Sequence, residues 1–181
     1  AQPAARIVGI TGTNGKSTTT ALIGHCLKAA GIAVAVGGNI GDAACQMNDP
    51  GPEGVIVLEL SSYQLETTPS LRTDVSVVLN ISPDHLDRHG GMDGYVAAKE
   101  QILRALGGRG LAILGEGDDY VRGFAADQAT AGQLVQIARS SDAPDGTAQC
   151  LALIGSHNTE NAAAAALVLR QLGVGSAVID Q

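Results

Sequence analysis

A chain of 181 residues, 45% of them apolar and 16% charged, is long enough to bury one sizeable core and short for two full domains. Its four aromatics, Tyr63, Tyr95, Tyr120 and Phe124, leave that core to Ala, Val, Ile and Leu, an α/β composition. A net charge of −7 argues against nucleic acid and anionic membranes as partners, since either calls for a basic stripe and none is present.

Three cysteines, Cys26, Cys45 and Cys150, are odd in number and form no Cys-x-x-Cys pair. This argues against a disulfide scaffold or a zinc knuckle, and they read as small buried hydrophobes. The longest uncharged apolar stretch, residues 162–169, is far short of the ~20 residues of a membrane span. The first residues show no signal-peptide pattern, so the cytoplasm is the default location. Residue 1 is Ala and a strand begins almost at once, as in a fragment cut from a longer chain.

The first apolar run, residues 7–10, leads into Gly12-Thr13-Asn14-Gly15-Lys16-Ser17-Thr18 and a helix predicted over 16–30, closed by Gly31. A buried strand that enters a glycine-rich turn and leaves as a helix aims backbone N–H groups and the positive helix end at one place. That is a cradle for the phosphates of ATP or GTP. Lys16 adds a mobile cation, and the Ser17 hydroxyl stands where such loops hold Mg²⁺. The common phosphate-loop pattern has glycine five positions before its Gly-Lys pair, where this chain has Ile10, so Gly12-x-x-Gly15-Lys16-Ser17 is a variant. The alternative is a plain strand-to-helix turn with a solvated Lys16, a placement that the helix dipole opposes.

Further strands are predicted at 33–36, 55–60, 75–81 and 111–114, alternating with helices at 94–106 and 159–172 that end at Gly107 and Gly173. The alternation implies a mainly parallel sheet, and the nearly continuous apolar runs imply helices on both faces. Ligands of such sheets lie beyond the C-terminal strand ends. Glu59 and Asn80 therefore fall near the phosphate loop, Glu59 as a candidate metal carboxylate with a solvated strand-end glutamate as the alternative. Residues 84–89, Asp-His-Leu-Asp-Arg-His, gather two imidazoles and two carboxylates. A helix there would put His85 and His89 on one face, yet without the intervening Glu of zinc proteases, and a polar turn capped by Asp84 stays open. Lys99, on an amphipathic helix, reads by itself as a solvated surface charge. Residues 115–150 read as short elements on the domain periphery, and Asn158 or Thr159 as the N-cap of the last helix.

Five blocks in order resemble the Mur ligases: Gly12 to Thr18, Gly37-Gly38-Asn39-Ile40-Gly41, Glu59-Leu60-Ser61-Ser62-Tyr63-Gln64-Leu65-Glu66, Asn80-Ile81-Ser82-Pro83-Asp84-His85-Leu86-Asp87-Arg88-His89, and Gly155-Ser156-His157-Asn158. The second and third blocks are similar to the branch that adds D-glutamate to UDP-N-acetylmuramoyl-L-alanine in peptidoglycan synthesis. In the branch that adds a diamino acid, His is expected at position 63. The resemblance implies that residues 1–181 form a P-loop NTPase-like central ATP-binding domain. It also implies an amino-terminal domain for the uridine nucleotide and a carboxy-terminal domain completing the ATP and amino-acid sites, both outside this chain. Alone, the chain would bind ATP and Mg²⁺ without turning over.

In the family, ATP phosphorylates the substrate carboxylate to an acyl phosphate, which the amine of D-glutamate attacks. By motif, the resemblance implies a nucleotide set of Gly12, Thr13, Asn14, Gly15, Lys16, Ser17 and Thr18, with Lys16 on the β and γ phosphates and Asn158 and Asn161 near the adenine. It implies one Mg²⁺ on Ser17 and Glu59, and a second on His85 and a CO₂-carbamylated Lys99. Lys16, His85 and Lys99 form the implied catalytic set, and Asn39, Ser61, Gln64 and His85 the path of the muramoyl substrate. Two readings compete: the central domain of another Mur ligase or of a folylpolyglutamate synthetase, and a non-catalytic nucleotide switch.

Overall fold

The computed structural model describes residues 4–106, 110–130, 133–147 and 155–180. Its strands are β1 (Arg6–Thr11), β2 (Val34–Gly38), β3 (Val55–Glu59), β4 (Val75–Val78), β5 (Leu111–Gly115) and β6 (Leu134–Ala138). They pair in parallel in the order β2-β3-β1-β4-β5-β6. The helices are α1 (Lys16–Ala29), α2 (Ser62–Thr67), α3 (Leu86–His89), α4 (Met92–Arg104), α5 (Asp119–Thr130), α6 (Ser156–Gln171) and α7 (Ser176–Ile179).

Strand side chains alternate between two cores, as the period of two requires. Val8, Ile10, Val57 and Ile113 face α1, α6 and α7, while Ile7, Ile56, Leu58 and Leu114 face α2, α4 and α5. In α6, Ala162 to Ala166 are all buried, and methyl-sized side chains let that helix lie close against α1 and the sheet. β1 sits between β3 and β4, with its connection running over one face and that of β4 over the other. The two connections diverge at the C-terminal end of β1, which opens the crevice where such sheets take ligands.

The strand expected at 75–81 ends at Val78, because residues 79–82 leave the ladder and turn onto the phosphate loop: Thr13 N–H donates to Asn80 O at 2.9 Å. Residues 115–150 are not merely short peripheral pieces. They carry α5, of 12 residues, and β6, which extends the sheet. β6 escapes a search for buried runs because it is an edge strand with Leu134 65% exposed. The cysteines are not all buried, since Cys45 is exposed and Cys26 partly so; Cys150 and the expected helix stop at Gly107 lie outside the described residues. Among the described residues no helix is long and apolar enough to cross a membrane.

One buried polar link ties the second layer to the sheet. Ser76 Oγ donates to Ile102 O at 2.7 Å in the last turn of α4, and Thr73 Oγ1 lies 2.9 Å from Ser76 Oγ. Ser76→Ala leaves a buried carbonyl without its donor. It is expected to lower stability by about 1–2 kcal/mol in urea unfolding.

Candidate functional site

The loop after β1 is braced from outside by the segment that follows β4. Asn14 N–H donates to Asn80 Oδ1 at 2.8 Å and Asn80 Nδ2 returns to Asn14 O at 3.1 Å. Thr13 Oγ1 accepts from Ser82 N–H at 3.0 Å and lies 3.0 Å from the Tyr95 hydroxyl. Gly15, at φ +85°, turns the chain into α1, which has no side-chain cap and no acidic residue in its first turn. Its leading N–H groups and the positive end of its dipole are thereby left for an anion.

Two ammonium groups converge on one carbonyl. Lys16 Nζ donates to Gly12 O at 3.0 Å and to Thr13 O at 2.9 Å, and Lys99 Nζ donates to the same Gly12 O at 2.8 Å. Lys99 is not the solvated charge its helix pattern implies. It is 2% exposed, with Nζ 4.7 Å from the centre of the Tyr95 ring. Burial, then the nearby Lys16 charge, bring its amine down from 10.5 to about 7, with Asp84 opposing.

Glu59 ends β3 beside Ile10 of β1 and is 1% exposed, so the solvated alternative fails. Its Oε1 accepts from Asn39 Nδ2 at 3.0 Å, while Oε2 is buried with no hydrogen-bond partner. Asn39 is placed by its own N–H on Glu59 O at 2.9 Å, and Gly38, at φ +109°, lies so close to that carbonyl that a Cβ would overlap it. A buried carboxylate oxygen without a partner is costly unless a cation meets it. It is a hard oxygen donor of the kind Mg²⁺ prefers, and Ser17, in the first turn of α1, is exposed.

Ser61 caps α2 in a capping box: Gln64 N–H donates to Ser61 Oγ at 3.3 Å and Ser61 N–H to Gln64 Oε1 at 2.9 Å. These two candidate substrate residues are thus held rigid by each other. His85 heads α3 with φ +50°, the one positive φ outside glycine among the described residues. It is half exposed, 3.4 Å from Asp84 and edge-on to the Tyr63 ring. Backbone strain of this kind gathers at working sites. His85 and His89 are not a pair within one helix: His85 lies outside α3 as its N-cap and is half exposed, the His89 side chain is wholly buried, and both rings pack against Tyr63. Nor does Asp84 cap α3: its Oδ1 accepts from His85 N–H, and His85 itself is the N-cap.

The last helix starts at Ser156 behind Gly155, not at an Asn158 or Thr159 cap. Both asparagines therefore lie inside α6, where Asn161 Nδ2 donates to Asn158 Oδ1 at 3.1 Å. Asn161 is buried against the phosphate loop, and a Cβ on Gly15 would overlap its carboxamide. Gly15→Ala must strain a left-handed backbone and displace Asn161. It is expected to cost about 1–3 kcal/mol of stability and to weaken nucleotide binding, read by thermal melts with and without ATP. Sequence reasoning brought Asn80 near the loop without showing its bracing role, and it offered no signal for Tyr95.

The sequence pattern of the Mur ligase middle domain matches residues 10–169. The chain is 46% identical to UDP-N-acetylmuramoylalanine--D-glutamate ligase of Rhodospirillum rubrum, over 95% of this chain and 41% of that protein. It is 42% identical to the enzyme of the same name from Paramagnetospirillum magneticum, over 100% of this chain and 44% of that protein. The chain therefore spans about two-fifths of the length of these relatives. Among solved structures, MurF from Acinetobacter baumannii superposes with a TM-score of 0.75 at 24% identity, over 97% of this chain and 45% of that one. E. coli FolC in complex with DHPP and ADP gives 0.72 at 22% identity, over 98% of this chain and 56% of that one. At such identities the likeness is one of fold.

Proposed function

The chain belongs to the Mur ligase family, as a middle domain, and from that premise we propose that it is the ATP-binding centre of a ligase joining D-glutamate to UDP-N-acetylmuramoyl-L-alanine. The uridine-nucleotide and carboxy-terminal domains of that ligase would lie outside these 181 residues, and its setting is the cytoplasm. One observation carries the reading: Lys16 and Lys99 share Gly12 O at the mouth of an uncapped helix. An uncapped helix N-terminus with the Lys16 ammonium at its mouth calls for a polyanion.

In this reading residues 12–18 wrap the phosphates through main-chain N–H groups, and Lys16 exchanges its two carbonyl acceptors for phosphate oxygens. Asn158 and Asn161 stand on the adenine side. Ser17 and Glu59 would hold one Mg²⁺, and His85 with a carbamylated Lys99 a second; bound there, the ions neutralise charge on the transferring phosphoryl group. Asn39, Ser61, Gln64 and His85 line the path of the acid substrate.

The surroundings of Lys99 favour the carbamate. With its amine lowered to about 7, a large neutral fraction exists near neutrality. The nitrogen lone pair forms the C–N bond to CO₂ and the nitrogen loses its proton to solvent. The product is an anion beside Lys16, so a repulsion becomes an attraction.

The test uses the intact protein that carries this domain. Amide formation with D-glutamate, and little with other amino acids, is the expected result, together with positional isotope exchange in ATP that depends on the uridine-linked acid. A nucleotide switch would show neither.

A further inference from the structure

His89 is a buried group to which the proposed chemistry gives no role. Its Nδ1 lies 3.0 Å from Glu66 Oε1 and its Nε2 3.0 Å from Ser62 Oγ, so one α3 side chain is bonded to α2 through both nitrogens. A carboxylate only accepts, so Nδ1 carries the proton toward Glu66, and in the neutral ring Nε2 accepts from the Ser62 hydroxyl. Tyr63 and Tyr95 flank the imidazole, with ring centres at 5.5 and 5.4 Å.

Each tyrosine touches a different half of the site. Tyr95 meets Thr13 Oγ1 and lies under the Lys99 ammonium. Tyr63 meets the His85 ring at 5.3 Å and stands on α2 next to the Ser61–Gln64 box. Glu66 also pairs with Arg88 at 3.1 Å, which clasps α3 to α2 a second time. Arg88 N–H and His89 N–H both donate to His85 O, at 3.1 and 3.3 Å, so the clasp ends on the strained residue itself.

We propose that His89, held by Glu66, is a positioning residue that keeps the nucleotide half of the site (Thr13, Lys99) and the acid-substrate half (His85, Ser61, Gln64) in one fixed register. The identity of the acid substrate rests on the function proposed above; the nucleotide half does not.

In the intact ligase, His89→Phe keeps a flat ring between the tyrosines and removes both hydrogen bonds, while Arg88 still pairs with Glu66. The expected result is a KM raised about tenfold for the uridine-linked acid and about threefold for ATP, with that for D-glutamate unchanged. A folding defect alone lowers the amount of active enzyme, and so kcat, and moves no KM. Glu66→Gln keeps an oxygen facing Nδ1 and is expected within about twofold of the parent, whereas Glu66→Ala, which also releases Arg88, is expected to raise the KM for the uridine-linked acid and for ATP and leave that for D-glutamate unchanged. Unmoved KM values, or one rise shared by all three substrates, would overturn the inference. A parent protein that does not ligate D-glutamate counts against the proposed function instead. The inference is then judged by calorimetry with a non-hydrolysable ATP analogue: about threefold weaker binding by His89→Phe supports it, and equal binding overturns it.

Discussion

Lys16→Ala in the intact ligase is expected to lower kcat/KM by about 10²–10³-fold, or about 2–4 kcal/mol of transition-state stabilisation, the loss typical of one preorganised donor to developing charge. The loop is held by the protein's own contacts, with Asn80, Ser82 and Tyr95 fixing its outer wall. The substitution therefore removes a cation and leaves the cradle standing. Activity falls without vanishing, because the leading N–H groups of α1 and the Lys99 site persist. A second consequence separates this account from simple misfolding. The Lys16 charge is one of the two causes that lower the Lys99 amine, so its removal should raise the titration midpoint of Lys99 as read by ¹⁵N or ¹³C NMR of labelled lysine. An unchanged rate together with an unmoved midpoint would refute the assignment of this loop.

Lys99→Met is expected to stabilise the chain below neutrality and to lose that advantage as pH rises. A lysine whose amine drops from 10.5 in the open chain to about 7 when folded binds fewer protons in the native state across that interval. Stability then rises with pH between about 7 and 10.5, and below about 7 the buried ammonium exerts its full cost. At ~1.4 kcal/mol per unit the swing is roughly 3–5 kcal/mol. Methionine has no charge to bury. Denaturant melts of both proteins in CO₂-free buffer, at about pH 6.5 and about pH 9.5, check this through the difference in stability between them. A constant difference would show that Lys99 is not buried as a charge. On the carbamate proposed for Lys99, the same substitution in the intact ligase is expected to join higher stability to depressed activity, with added short carboxylates restoring part of the rate.

The strand, glycine turn and helix at the start of the chain were legible because their signals are local: they follow one another within a few residues, and Gly15 needs its φ of +85° whatever packs around it. Glu59 was legible for a related reason, as a charge closing an apolar strand. Lys99 was not. Its helix pattern describes a surface position, and only the way α4 lies across the loop, with Tyr95 beneath the ammonium, takes it out of water. His89 was misplaced because spacing along an assumed helix cannot reveal that α3 is one turn long and anchored on Glu66 of α2. The strand β6 was hidden by its position at the sheet edge, where one face of the pattern is wet.

By itself, then, the sequence determined the elements whose signals are carried by neighbours in the chain: a parallel α/β fold, a glycine turn leading from its first strand into a helix, and the blocks that mark its family. The tertiary structure alone decided which charges are buried, which polar groups are left without partners, and which side chains face one another across α2, α3, α4 and the loop. Those properties depend on residues far apart in the chain, 87 positions for Lys99 and Gly12, and desolvation acts on the assembled site rather than on any one segment of it.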